Sequence, residues 1–249
     1  PLIFSWDGAD INSEAVANDL EIGLDFDKDG TLFDFNATWG NWTQRLIESE
    51  TAGDAARRDE LAGILGYDLK AGAFLPGSIV IAETVETLAR HVLRFSTDSD
   101  LGALIDRMSL LSETAPQVEA TPLRPFAGEL KSMGLKVGLA TNDSESAARA
   151  HLAKAGVLED FDFVAGYDSG HGAKPAPGPL LAFGRSVGLA PEHCAMIGDS
   201  LHDLHAGKAA GFTTVGVLTG PARREALEPH ADVVLNSIAD LPAWIAGQA

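Results

Sequence analysis

Asp27 and Asp29 lie two positions apart and are followed at once by Gly30 and Thr31, a combination that can carry out chemistry. A carboxylate can attack phosphorus to form an aspartyl phosphate, so Asp27 is a candidate nucleophile. In extended backbone a second carboxylate two positions on points the same way. From there Asp29 can protonate a leaving oxygen and later activate water. Gly30 then allows the sharp turn such a pair needs. Phosphoryl transfer also requires positive charge around the equatorial oxygens, and Lys174 supplies a fixed cation. Thr141, with the backbone N–H groups of Asn142 and Asp143 leading into a helix, makes a candidate phosphate cradle. Magnesium prefers oxygen ligands in near-octahedral array and keeps several waters. Asp27 and Asp199 are the natural pair for it, with the backbone carbonyl of Asp29 completing the set. Asp203 is placed to orient water or Lys174.

Asp25 offers a competing frame, pairing with Asp27 in place of Asp29. Gly30-Thr31 directly after Asp29 favours the Asp27 and Asp29 register. A charge inside a strand costs several kcal/mol unless partnered, so Asp25 is expected to be partnered or at an exposed edge.

These residues need a scaffold that brings them together, and short apolar runs supply it. They are Ile22 to Phe26, Lys136 to Ala140, Phe161 to Val164, Ala195 to Gly198, Thr213 to Val217 and Asp232 to Leu235. Helical apolar spacing lies between them, as in Ala147, Ala150, His151, Ala153 and Lys154, or Leu180, Leu181, Phe183, Val187 and Leu189. Strands alternating with helices predict an α/β fold with a doubly wound parallel sheet. Ligands of such sheets bind beyond the carboxyl ends of the strands, which is where Asp27, Thr141 and Asp199 stand. About 110 residues separate the first strand from the second, far more than an ordinary crossover needs. Helical patterns at Trp42 to Glu50, Ala55 to Leu65, Ile79 to Phe95 and Asp100 to Glu113 predict an inserted helical cap. The expected division is a core of residues 1–34 and 120–249 with a cap of residues 35–119.

Each motif alone is weak, since Asp-X-Asp is common in surface loops and Gly-Asp-Ser usually marks a turn. Their order is more specific. Phe26-Asp27-Lys28-Asp29-Gly30-Thr31-Leu32-Phe33-Asp34, Thr141-Asn142, Lys174-Pro175-Ala176-Pro177 and Gly198-Asp199-Ser200-Leu201-His202-Asp203 together resemble the haloacid dehalogenase superfamily. The resemblance is to its small phosphatases with a helical cap after the first strand, such as phosphoglycolate phosphatases, and covers the chain from about Ile22 onward. It implies that Asp27 is the nucleophile, Asp29 the acid and base, Thr141 and Lys174 phosphate binders, and Asp199 a metal ligand. Asp29 also points away from dehalogenation, because expelling halide needs no leaving-group acid. The expected substrate is a small phosphorylated metabolite of the phosphoglycolate or sugar phosphate type. A phosphomutase of the β-phosphoglucomutase type shares these catalytic residues, and a non-catalytic binding protein on the same fold is a further alternative. Two features depart from the resemblance: the charge at Asp25, and residues 1–20, which have no counterpart in it.

Composition narrows the field further. The 249 residues carry 45% apolar and 22% charged side chains, ordinary for a globular protein, with a formal net charge of −18. That charge argues against general affinity for nucleic acid or anionic membranes. No apolar run approaches the roughly 20 residues of a membrane helix, and the opening segment lacks the basic flank of a secretory signal, so cytoplasmic residence is expected. The single cysteine, Cys194, is expected to be a small core or loop side chain. His202 and His205, at helical spacing, are expected on a solvated face, and His171 in a loop without substrate contact. Trp39, Trp42 and Arg45 open the cap, where packing is the expected role of the tryptophans.

Overall fold

The computed structural model describes residues 21–247 apart from 76, 82, 97 and 98, so the expectations for residues 1–20 lie outside the described residues. In chain order the strands are β1 (Gly23–Phe26), β2 (Tyr67–Asp68), β3 (Ala73–Phe74), β4 (Lys136–Ala140), β5 (Phe163–Ala165), β6 (Cys194–Gly198), β7 (Thr213–Val217) and β8 (Val233–Leu235). Six of them form one sheet in the order β5-β4-β1-β6-β7-β8, with every neighbouring pair parallel. The chain leaves β1 toward β4 and β5, then returns to its other side at β6. A crevice opens where the direction of winding reverses, beside the end of β1.

Side chains alternate across these strands, and each sheet face has its own apolar layer. On one face Leu24, Phe26, Val137, Leu139, Ala195, Ile197, Val215 and Val217 join Phe126, Leu130 and Leu152 in a single buried cluster. Phe126 and Leu130 come from α5 (Leu123–Ser132) and Leu152 from α6 (Glu145–Ala155). On the other face Ala140, Cys194 and Met196 pack against Leu180 and Phe183 of α7 (Gly178–Val187) and Ala206 and Ala210 of α8 (Leu201–Ala210). Cys194 is thus a buried packing side chain. The short α9 (Arg224–Leu227) and α10 (Leu241–Ala246) complete the set, and α10 adds Leu241 and Ile245 to the first face.

Local sequence signals end these helices where they do. Ser144 caps α6 by accepting from the Ala147 N–H, and Gly156 closes it in the left-handed region at φ 71°. The third core strand begins two residues later than the apolar run predicts. Asp162 instead pairs its backbone N–H with the Val137 carbonyl and its carboxylate with the Val137 N–H.

The segment between β1 and α5 has its own buried cluster, including Trp39, Trp42, Leu46, Leu61, Leu65, Leu88, Val92, Leu104 and Met108. A π-helical turn at Asn36–Gly40 leads into α1 (Asn41–Thr51), followed by α2 (Ala55–Leu65), α3 (Val85–Val92) and α4 (Leu101–Glu113). The expectation of helix throughout is corrected at two places. Gly66 ends α2, and β2 and β3 then form a small antiparallel pair whose turn is fixed by Asp68 accepting from the Lys70 and Ala71 N–H groups. The pattern from Ile79 to Phe95 splits into a 3-10 turn at Ile79–Ile81, then α3, then a second 3-10 turn at Leu93–Phe95. Thr84 causes the restart, because its hydroxyl accepts from the Thr87 N–H and caps α3. Among the described residues no helix is long and apolar enough to cross a membrane.

Candidate active site

Asp27 follows β1 directly, and its backbone N–H donates to the Ile197 carbonyl at 2.8 Å, so the sheet itself fixes its position. Lys174 Nζ reaches across to Asp27 Oδ1 at 2.6 Å and to Asp203 Oδ1 at 2.6 Å. Asp203 Oδ2 accepts from the Ser200 N–H at 3.0 Å and from its hydroxyl at 2.7 Å, closing the start of α8. One carboxylate therefore both caps a helix and anchors the lysine. Lys174 is held from behind as well. Its N–H donates to Asn142 Oδ1 and its carbonyl accepts from Asn142 Nδ2, both at 2.9 Å.

Asp199 is buried at the end of β6, and Thr31 Oγ1 donates to its Oδ1 at 3.4 Å. Backbone presses on it from two sides. A methyl group at Gly30, where φ is +86°, would lie 2.5 Å from the Asp199 carboxyl, and one at Gly220 would lie 1.7 Å from it. The Gly220 loop is tied down by Thr219 Oγ1, which donates to the Gly30 carbonyl at 2.6 Å.

These groups share a cleft lined on the sheet side by Asp27, Asp29, Thr141, Lys174 and Asp199. Its other wall comes from the inserted segment, with Phe35, Trp39, Val80, Ile81, Glu83 and Val85. Sequence reasoning singled out Trp39 among these and missed the rest, because the apolar residues of a wall carry no signal that separates them from core and Glu83 none that separates it from other acidic residues of the chain. Trp42 is fully buried, donating from Nε1 to the Met108 carbonyl, and Arg45 lies outside the lining beside Thr114. His202 lines the cleft, whereas His205 pairs with His230 at 3.2 Å and His171 packs its ring near Phe163.

Charge density in the cleft is high and largely buried. Burial lifts the Asp27 carboxyl to about 7 against the pull of Lys174, with Asp203 and Asp29 adding to the rise. Burial raises Asp199 well above the ordinary carboxylate range too, reinforced by Asp27 and Asp203. Burial alone would lower Lys174, but Asp203 and Asp27 outweigh it and hold the ammonium charged. Oxygen atoms of Asp27, Asp199 and Asp203 all lie within 4.8 Å of one another. One lysine does not balance three close carboxylates, and an all-oxygen donor set suits a hard divalent cation such as magnesium. Asp203 has already committed both oxygens, to Lys174 and Ser200, which leaves Asp27 and Asp199 as the carboxylates to hold an ion.

The Asp29 carboxylate lies outside the three-carboxylate group, 2.7 Å from Lys28 Nζ, which leaves the backbone carbonyl as the Asp29 group that could meet a metal. The Asn142 side chain binds the Lys174 backbone, separately from the backbone N–H expected to meet phosphate. The Asp143 N–H, one member of the cradle expected there, donates to Thr141 Oγ1 at 3.1 Å. Asp25 is neither partnered nor at an edge. It is fully buried in the central strand with no hydrogen-bond partner for either oxygen among the described residues, and burial raises it well above its usual range. The expectation of a partner or an exposed edge is corrected: the side chain stands inside the sheet, on the face that carries Asp27.

Fold and site together define a doubly wound α/β protein with an acidic, lysine-bridged cleft at the carboxyl edge of its sheet. The haloacid dehalogenase-like hydrolase model matches residues 26–211, and the chain belongs to that family. Phosphoglycolate phosphatase of Escherichia coli strain K12 is 36% identical over 115 residues, 46% of each chain, so the match spans about half the length of that relative. Among solved structures, a haloacid dehalogenase-like hydrolase from Bacteroides fragilis aligns over 89% of this chain and 99% of its own, with a TM-score of 0.68 at 20% identity. A HAD phosphatase from Thermococcus onnurineus aligns over 91% and 98%, with a TM-score of 0.64 at 22% identity. Both share the fold.

Proposed function

We propose that this protein is a magnesium-dependent phosphatase that hydrolyses a small phosphomonoester of the phosphoglycolate or sugar phosphate type. The observation that carries the reading is Lys174 lying 2.6 Å from both Asp27 and Asp203, in a cleft that also holds Asp29, Thr141 and Asp199. Family membership and the partial likeness to phosphoglycolate phosphatase support it.

In this reading Asp27 attacks phosphorus through a carboxylate oxygen, and the bond to the ester oxygen breaks as Asp29 gives that oxygen a proton. Water then attacks the aspartyl phosphate, losing a proton to Asp29. Inorganic phosphate leaves and both carboxyls return to their starting forms. Lys174 and the Thr141 hydroxyl hold the phosphoryl oxygens throughout. A magnesium ion held by Asp27 and Asp199 supplies positive charge for the substrate phosphate and screens it from the nucleophile. Residues 35–119 act as the cap, placing Phe35, Trp39, Val80 and Val85 against the organic part of the substrate and excluding bulk water.

The test is phosphate release from a panel of phosphorylated metabolites with magnesium present and after chelation. Magnesium-dependent release from small esters is expected. Isomerised sugar phosphate without phosphate release, or no turnover of any ester, would overturn the reading.

A further inference from the structure

Between the two working carboxylates stands Lys28, a side chain with no solvent exposure. An ammonium has three protons to donate. Three groups surround this one: Asp29 Oδ2 at 2.7 Å, His151 Nδ1 at 2.9 Å and, as an ion-pair partner, Asp143 Oδ2 at 3.1 Å. The Trp39 ring covers the site, its centroid 5.8 Å from Nζ.

His151 is a neutral acceptor here. Its Nε2 lies 2.8 Å from the Ser112 carbonyl, which can only accept, so the ring hydrogen sits on Nε2 and the Nδ1 lone pair faces Lys28. Burial and the adjacent Lys28 push its pKa down to about 4, in keeping with that assignment. The Ser112 hydroxyl, whose shorter contact is to the Ser109 carbonyl at 2.8 Å, lies 3.4 Å from Asp143 Oδ1, so the end of α4 stands against both the histidine and the second carboxylate.

A lysine buried only to neutralise its neighbours is a poor solution, since an apolar side chain of similar volume avoids the desolvation cost of the charge. What the cation adds is direction. Asp29 Oδ2 is tied to Lys28, while Asp29 Oδ1 is buried with no hydrogen-bond partner among the described residues. One oxygen is anchored, and the other is left for the reacting proton.

We propose that Lys28 is a positioning residue for Asp29, fixing its carboxylate in the cleft through a buried anchor made with Asp143 and His151. The proposal rests on Asp29 being the acid and base of the reaction. Lys28 itself touches neither phosphate nor leaving group. It acts by holding one oxygen so that the other meets the leaving oxygen and then the water.

The test compares kcat/KM for an alkyl phosphate and for p-nitrophenyl phosphate in four proteins: wild type, Asp29→Asn, Lys28→Met and the double variant. Because kcat/KM reports the first chemical step, it separates esters that need a leaving-group proton from those that do not. Asp29→Asn is expected to lower the alkyl value by about 10²-fold or more while the aryl value falls far less. Lys28→Met should show the same bias at about 10-fold to 10²-fold. The double variant should be no slower than Asp29→Asn alone. If Asp29→Asn shows the bias and Lys28→Met reduces both esters equally or neither, the positioning role is wrong and the acid assignment stands. If Asp29→Asn itself shows no bias, both fall together. Should Lys28→Met fail to fold, His151→Leu and His151→Gln replace it. Leucine, which cannot accept from Lys28, should reproduce the bias, and glutamine, which can, should restore much of the alkyl activity. Equal behaviour of the two would overturn the proposal.

Discussion

The Lys174 ammonium sits 2.6 Å from Asp27 Oδ1 although 147 positions separate the two residues in the chain. Its other partner, Asp203, lies on α8, and its backbone is clamped by Asn142 after β4. Three crossovers of the sheet therefore meet at one cation. Lys28 repeats the arrangement on the far side of Asp27, between Asp29 and Asp143. Asp27 and Asp29 each have one carboxylate oxygen tied to a buried lysine, which restricts the orientation of both side chains.

Asp27→Asn should abolish phosphate release while leaving the melting temperature at or above that of wild type. The amide keeps the shape and can still accept from Lys174, yet it is a poor nucleophile. It also removes a charge whose burial has lifted the carboxyl to about 7. Turnover and thermal unfolding measured on the same preparation check both halves, and substantial remaining hydrolysis would identify a different nucleophile.

Magnesium should stabilise the wild-type protein and should not stabilise Asp199→Asn. Saturation at 100 times the dissociation constant is worth about 2.7 kcal/mol. Thermal unfolding with and without magnesium in chelated samples reads the shift. An equal shift in both proteins would place the ion elsewhere.

Gly220→Ala should be far more harmful than an alanine at Gly128. The first puts a methyl group 1.7 Å from Asp199, so loop and carboxylate cannot both stay, and a displacement near 1 Å costs about 10²-fold in rate. Gly128 lies in the interior of α5 with nothing within 4 Å, where alanine is favoured by about 1 kcal/mol. Activity and melting temperature of the two variants make the comparison. Equal activities would show that the Gly220 loop does not define the site.

His151 gives a pH dependence with a definite sign. Its pKa is depressed from 6.5 to about 4, chiefly by burial and then by Lys28, so between those values the unfolded chain binds more protons than the folded one. Its contribution is complete above pH 6.5 and declines as pH falls toward 4, by about 3 kcal/mol in all. His151→Gln does not titrate, so the stability difference between wild type and this variant should move in the variant's favour over that interval. Urea unfolding of both proteins at pH 7, 5.5 and 4.5 measures it, and parallel pH profiles would contradict the assignment.

The sequence by itself determined the six strands of the main sheet to within two residues, their alternation with helices and the positions of the chemical groups, but not the small β2 and β3 pair. Apolar runs of four or five residues ending in Asp27, Thr141 and Asp199 follow from the local period of a strand, and capping residues such as Ser144 and Gly156 act within one turn of their own helix. Tertiary structure alone decided which groups face one another. No local signal shows that the amide of Asn142 is spent on the Lys174 backbone, or that the Asp143 N–H is satisfied by Thr141. Asp25 was misjudged because an acid in a central strand is expected to find a partner, whereas burial without one raises its pKa well above the usual range. Lys28 was overlooked because a lysine between two aspartates looks like surface. Its burial depends on α4, α6 and Trp39 closing over it, three contacts distant in sequence that no spacing rule contains.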